Sequence, residues 1–307
     1  MEQENQDNYL YYIHDEKESP ASRVLKFFLL LAGKKRSMVK DISGGKIRQK
    51  AASIPFYISK RYRVECKEVE GRSVWTLHPR QPSSPRVIVY LHGGAYIYNL
   101  ISLHWYLIGQ LVKRTGVTVI VPDYPLAPRY SCLNTHAFTM IVYRQLLEKH
   151  AAKDILIMGD SAGAGLALAF AQQLMEKNLP VPGQIILISP WLDVSMSHPD
   201  LSLYEKYDRM LGIMGLKLAG ASYAGELDVK DYRVSPLFGK MSGLPEISIF
   251  TSTHDILHVD AQELRTKLTS ANISHKYYEY PGMVHDWIIF PPLRETRHSL
   301  RQLWAGF

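Results

Sequence analysis

From residue 62 onward the apolar positions follow two alternating rhythms. RVIVYL (86–91), VTVIVP (117–122), ILIM (155–158), IILIS (185–189) and ISIFTS (247–252) are short, continuous apolar runs rich in branched side chains. HKYYEY (275–280) is a sixth run, carried by aromatic residues. Runs of this kind predict strands covered on both faces. Helix-length segments lie between and after them, at 103–114, 136–149, 162–178, 258–270 and 294–304. Arg63–Val69 and Val74–His78 alternate on either side of a Glu-Gly turn and predict a hairpin. Strands alternating with helices place the chain in the α/β class, with a mostly parallel sheet flanked by helices.

Two stretches fall outside this rhythm. Ser19-Pro20 is a helix start, with serine as the cap and proline at the first helical position. The helix it predicts ends near Gly33. Val24, Leu25, Phe27, Phe28, Leu29, Leu30 and Leu31 make it apolar on most sides, so it is expected to be covered, with its bases turned outward at a rim. A short helix is expected within 46–60, its second half interrupted by Pro55. The second stretch is the 57 residues between Ser189 and Ile247, too long for a connection in a compact domain and helical in period over its second half. Residues 1–60 and an insertion at 193–232 are therefore expected to form a helical cap over a core made of 61–192 and 233–307.

Composition narrows the function. Hydrophobic residues are 46% and charged residues 21%, a globular balance that excludes wholesale disorder. The two cysteines, Cys66 and Cys132, exclude a disulfide scaffold and a cysteine-based metal site. The net charge of +7 is unevenly spread: residues 1–20 hold six acids and one base, whereas 21–63 hold twelve bases and one acid. The body of the chain is nearly neutral, which argues against a nucleic-acid binder. The acidic start has no apolar core of the secretory type, and the apolar run at 24–32 is too short to span a bilayer, so a cytoplasmic enzyme is expected. Contact of residues 19–36 with an anionic membrane surface is the weaker reading beside a cap helix.

The chemistry sits at the strand ends. The strand ILIM runs into Gly159-Asp160-Ser161-Ala162-Gly163 and then into a helix of small residues. This is G-x-S-x-G in its strand–turn–helix setting, where a sharp turn lifts a serine hydroxyl above the sheet. Upstream, the strand 86–91 ends in His92-Gly93-Gly94-Ala95-Tyr96. Paired glycines there allow backbone amides to face an oxyanion, and the amide of Ala162 adds a third donor. His92 is read as a prop for this loop. A nucleophilic serine needs a base, and the base an acid. Asp255 follows the strand ending at Ser252, and His285 follows the strand at 275–280; they lie 94 and a further 30 residues beyond Ser161. Asp260 is read as a solvated or helix-start carboxylate.

HGGAY, DYPLAP (123–128), GDSAG, SPWLD (189–193), SPL (235–237), HDIL and YPGMVHDW occur in an order that resembles the hormone-sensitive-lipase-like esterases and lipases of the α/β-hydrolase fold. The resemblance covers residue 60 to the end. It implies a triad of Ser161, Asp255 and His285, an oxyanion hole from Gly93, Gly94 and Ala162, and the two-part cap. The chain departs from the family pattern at Ala95, where a third glycine is usual, and at Tyr124–Arg129, where two charged members are lost. The implied activity is hydrolysis of small carboxylic esters with short to medium acyl chains through an acyl-enzyme, needing neither metal nor organic cofactor. A base of this kind is expected to titrate within about a unit of the ordinary ~6.5 of imidazole. An amide or formamide hydrolase and a peptidase use the same triad, a surface-associating lipase is a further variant, and a ligand-binding relative keeps only the scaffold.

Overall fold

The structure is a computed structural model that describes residues 4–6, 8–82, 84–291 and 293–305. The outermost residues assigned from the sequence to 1–60 and 233–307 lie outside that description. In chain order the elements are β1 (Glu4–Gln6), β2 (Tyr9–Ile13), α1 (Pro20–Ala32), α2 (Lys34–Ser43), α3 (Phe56–Arg61) and the hairpin β3 (Arg63–Val69) and β4 (Arg72–His78). There follow β5 (Val87–Leu91), α4 (Ser102–Thr115), β6 (Thr118–Pro122), α5 (Cys132–Leu147), β7 (Ile155–Asp160), α6 (Ala162–Glu176) and β8 (Gln184–Ile188). The insertion contributes α7 (Leu201–Glu205) and α8 (Ile213–Ala224), and the chain continues through β9 (Glu246–His254), α9 (His258–Ser270), β10 (His275–Val284) and α10 (Arg294–Trp304).

The described strands make one ten-stranded sheet in the order β1-β2-β10-β9-β8-β7-β5-β6-β4-β3. Every pair from β2 through β10, β9, β8, β7 and β5 to β6 is parallel. Antiparallel pairs occur only toward the two edges. The strand period explains the two cores. Along β5, Val87, Val89 and Leu91 enter the apolar layer shared with α5, α6, α8 and α9, while Ile88 and Tyr90 enter the one shared with α3, α4 and α10. All parallel strands end on the same side of the sheet, which is where an open α/β sheet presents its chemistry.

The structure corrects the cap assignment for Glu4–Ile13. Tyr9–Ile13 forms a strand parallel to β10, with Tyr9 opposite His275 and Ile13 opposite Glu279. Tyrosine rings fasten the pair: Tyr11 lies 5.5 Å from Tyr277 and Tyr12 6.1 Å from Tyr278, and the Arg265 guanidinium sits 4.5 Å from the Tyr11 ring centre. A second correction concerns Pro55. It starts a helix instead of breaking one, because it stands just ahead of the first turn of α3 with φ −61 and ψ 143, where its missing N–H is not needed. Residues 46–55 are irregular.

A third correction concerns α1. It starts at Ser19-Pro20 and ends at Gly33, whose φ of 59° closes the helix. Its large apolar side chains are nevertheless not covered: Val24, Phe27, Phe28, Leu30 and Leu31 are each more than half exposed, and Ser22 and Leu29 are its buried residues. The helix is held from below by polar contacts. Ser19 gives its N–H to Glu295 Oε1 at 2.7 Å and its hydroxyl to Glu295 Oε2 at 2.9 Å, and Lys26 pairs with Glu18. The next helix, α2, turns onto the insertion. Met38 packs so closely on Gly215 of α8 that a Cβ there would stand 3.0 Å from the Met38 sulfur, and Lys35 donates to the carbonyl of Glu205.

Glu295 is buried, so the clamp on α1 is open to test. Ser19→Ala removes the helix cap and leaves one buried carboxylate oxygen without its hydroxyl donor. The expected loss is about 1–3 kcal/mol of stability, read as a lower denaturant midpoint at unchanged slope.

Candidate active site

Loops at the carboxyl ends of β5, β7 and β10 line one cleft of about 350 Å³, and the loop after β9 reaches it from behind through the contact of Asp255 with His285. Ser161 stands between β7 and α6 with φ 51° and ψ −120°, a conformation that costs energy for any residue but glycine. The surroundings enforce it. Ser161 N–H donates to the carbonyl of Ile188, and its own carbonyl accepts from Trp191, both across to the β8 side. Gly163 lets α6 meet β5: a Cβ there would lie 2.0 Å from the carbonyl oxygen of Leu91. Ala162 begins α6, so its N–H has no partner within the helix.

The loop after β5 is rigid for identifiable reasons. Gly94 has φ +126°, and a Cβ at this position would stand 2.3 Å from the carbonyl oxygen of Tyr98. Ala95 and Tyr96 follow with φ 52° and 60°. His92 gives its Nδ1 proton to the carbonyl of Gly93 at 2.7 Å and stacks on Tyr124 at 4.4 Å, whose hydroxyl in turn donates to the carbonyl of His92. Burial pushes the His92 ring down to about 4, so it remains a neutral prop.

One of the three expected oxyanion donors is already engaged. The N–H of Gly93 donates to Asp160 Oδ2 at 3.0 Å. The same carboxylate accepts from the Tyr90 hydroxyl and from His104 Nε2 at 3.2 Å. His104 Nδ1 accepts from the N–H of Ile101, which leaves the ring proton on Nε2, facing Asp160. Burial alone would raise Asp160, but these donors outweigh it and hold the carboxyl below its ordinary range. Among the described residues, the N–H groups of Gly94 and Ala95 donate to no protein group, and both residues line the cleft.

Asp255 and His285 are in contact, Oδ2 to Nδ1 at 2.8 Å, and both are buried. Asp255 Oδ1 accepts from the N–H of Leu257. Ser161, His285, Gly93 and Gly94 line the cleft, with Asp255 behind His285 and Ala162 buried below the surface. Two further carboxylates were not singled out from the sequence. Asp208, from the insertion, accepts from Ile256, Met210 and Leu211, and burial together with Asp255 pushes it up to about 6. Asp286 places Oδ2 3.0 Å from His285 Nε2, while its Oδ1 is buried without a partner. Burial, with a contribution from Asp160, pushes Asp286 up to about 7 despite His285.

His285 thus meets a carboxylate at each nitrogen. Burial disfavours the imidazolium, but Asp255 and Asp286 outweigh it and push the ring well above 6.5, which corrects the ordinary value expected from the sequence. With Nδ1–H directed at Asp255, an oxygen 3.0 Å from Nε2 requires a shared proton between Asp286 and the ring. Asp260 stands in the first turn of α9, one of the two places the sequence allowed, but it is not solvated: it is buried, its Oδ2 accepts from the N–H groups of Leu192 and Asp193, and burial raises it to about 8. It holds the loop after β8 and does not touch His285.

Residues 88–289 match a family profile described as the alpha/beta hydrolase fold. An esterase of Acinetobacter venetianus is 34% identical over 212 residues, which span 68% of this chain and 70% of the relative. Esterase LipU of Mycobacterium tuberculosis is 32% identical over 226 residues, spanning 71% of this chain and 76% of the relative. Among solved structures, EstE5 soaked with p-nitrophenyl butyrate superposes with a TM-score of 0.81 at 27% identity, over 94% of this chain and 97% of that one. The matched segment runs through the loops after β5, β7, β9 and β10, and the chain belongs to the α/β hydrolase fold family and is a carboxylic ester hydrolase.

Proposed function

We propose that the enzyme hydrolyses small carboxylic esters through an acyl-enzyme on Ser161, with His285 as base and Asp255 as its orienting acid. The observation that carries this reading is the 2.8 Å contact between Asp255 and His285 in a cleft that Ser161 also lines from a strained strand–helix turn. Asp255 fixes one ring proton on Nδ1, so Nε2, once it has given up the proton it shares with Asp286, is the atom that accepts from the serine hydroxyl. As Ser161 Oγ bonds to the ester carbonyl carbon, its proton passes to Nε2 and negative charge develops on the carbonyl oxygen. The unengaged N–H groups of Gly94 and Ala95, with that of Ala162, are the donors for this charge; Gly93 supports them through Asp160. The tetrahedral intermediate collapses as Nε2 returns the proton to the leaving alcohol. Water then repeats the sequence and frees the acid.

The cleft size supports short or medium acyl chains. Its walls include Leu100, Ile101, Met210, Leu211 and Ile289. Met38 of α2 joins them from residues 1–60, and Met210 and Leu211 come from the insertion, which supports a two-part cap made of α2 and residues 193–232.

Ser161→Ala is expected to abolish hydrolysis of p-nitrophenyl butyrate, down to the ~10³–10⁴-fold over water that a hole and a binding site supply alone. A fluorophosphonate is expected to label the wild-type chain once, at Ser161, and to leave the variant unlabelled. Labelling at another serine overturns the assignment.

The two candidate acids separate cleanly. Asp255→Asn is expected to lower turnover by roughly 10⁴, since an amide facing Nδ1 holds the wrong tautomer. Asp260→Asn keeps an acceptor for Leu192 and Asp193 and is expected to change turnover far less. The reverse ranking removes Asp255 from its role.

The base works only when Nε2 is free of its proton, so activity is lost as pH falls through the raised value of His285. The midpoint of kcat/KM is expected on the alkaline side of ~6.5. Asp286→Asn takes away one of the two carboxylates that favour the imidazolium and is expected to move the midpoint toward acid. An unmoved midpoint excludes Asp286 from this part.

A further inference from the structure

The first helix presents its faces in reverse of the usual order for a soluble protein. Its inner face is Ser22, Leu25, Lys26 and Leu29, spaced as neighbours on one side of a helix, and half of it is polar: Ser22 reaches Met283 and Lys26 reaches Glu18. The opposite set, Val24, Phe27, Phe28 and Leu31, has the same spacing and faces outward, exposed by 54%, 58%, 62% and 66%. Leu30, also 54% exposed, widens the stripe, and the rings of Phe27 and Phe28 meet edge to face at 6.1 Å. Single exposed apolar residues are ordinary; five large ones on one helix of 13 residues mark an interaction surface.

The charge around the stripe selects its occupant. Residues 20–50 contain nine bases and one acid. Arg23, Lys34, Arg36 and Lys40 are exposed and form no ion pair with any described residue. The one acid, Asp41, is occupied by the hydroxyls of Tyr98 and Ser37. A second copy of this face would bring unpaired cations against unpaired cations. An anionic lipid surface takes both parts, its headgroups meeting the bases and its acyl region the apolar side chains.

We propose that α1 and the start of α2 form a docking face for an anionic phospholipid surface. The face adjoins the cleft, because Lys34, the first residue of α2, lines the mouth together with Arg48 and Lys50. Docking by α1 therefore brings the entrance to the headgroup layer, where an amphiphilic ester resides. The inference does not depend on the roles assigned to Ser161, Asp255 and His285, since binding is measured without turnover.

Co-sedimentation of the full chain with phosphatidylcholine vesicles, with and without phosphatidylglycerol, tests it. Binding is expected to the phosphatidylglycerol vesicles and to weaken with salt. Phe27→Ser with Phe28→Ser is expected to lower the partition coefficient by about tenfold or more, given the area of two aromatic side chains. Arg23→Glu with Arg36→Glu is expected to remove the preference for phosphatidylglycerol. Both double variants are expected to melt, and to hydrolyse a dissolved ester, as the wild type does. Failure of the wild type to bind, or unchanged binding by both variants, overturns the proposal. So does a wild-type dimer in sedimentation that Phe27→Ser with Phe28→Ser turns into monomer, because the stripe would then belong to a second copy.

Discussion

The carboxylate of Asp160 ties together the two loops on which everything else at the site rests. It belongs to the turn that strains Ser161, yet its donors come from elsewhere: Tyr90 on β5, Gly93 in the loop beyond it and His104 on α4. A charge buried this deeply is tolerable only while its donors are in place. The requirement works in both directions. The loop keeps the carboxylate ionised, and the carboxylate keeps the loop from relaxing away from the elbow. Gly94 and Ala95, held next in line, then face the cleft with unspent N–H groups.

Around this anchor the protein concentrates acids where water is scarce. Asp160, Asp208, Asp255, Asp260 and Asp286 are all buried, and they are accommodated in more than one way. Asp160 is held ionised by side-chain and backbone donors, Asp208 and Asp260 are raised by burial while capping backbone N–H groups, and Asp286 faces the same imidazole as Asp255 from the opposite side. Attraction to the carboxylates of Asp255 and Asp286 outweighs burial and makes the ring between them more basic than an ordinary imidazole. In the proposed mechanism, this environment, which favours the charged ring, stabilises the imidazolium formed during attack at the expense of the free base.

The parallel sheet and its loops were legible because their signals are local. A buried parallel strand reads as an unbroken apolar run, and a nucleophile turn needs small residues at fixed offsets, so β5, β7, β8, β9 and their following loops are found within a residue or two of where the sequence puts them. What escaped was decided by distant partners. YLYYI alternates poorly and sits among acids, and it is a strand only because β10 offers an open edge lined with tyrosines. Gly93 carries the expected motif, but its N–H had a competitor 67 residues away. Asp260 is helix-start in position, yet the loop it holds lies across the sheet. The apolar residues of α1 were expected inside because hydrophobicity usually means burial, a rule that runs in one direction only.

The seam between β2 and β10 has a consequence for the order in which the molecule can assemble. Tyr9 sits beside His275, and β10 leads straight into His285. On a ribosome β2 emerges long before β10, its neighbour toward the sheet interior among the described strands, has been synthesised, so it cannot take its place in the sheet until that strand exists. Pairing with β2 then completes the hydrogen bonding along one side of β10, the strand that leads into His285. The setting of His285 is thereby coupled to the meeting of two strands from distant parts of the chain.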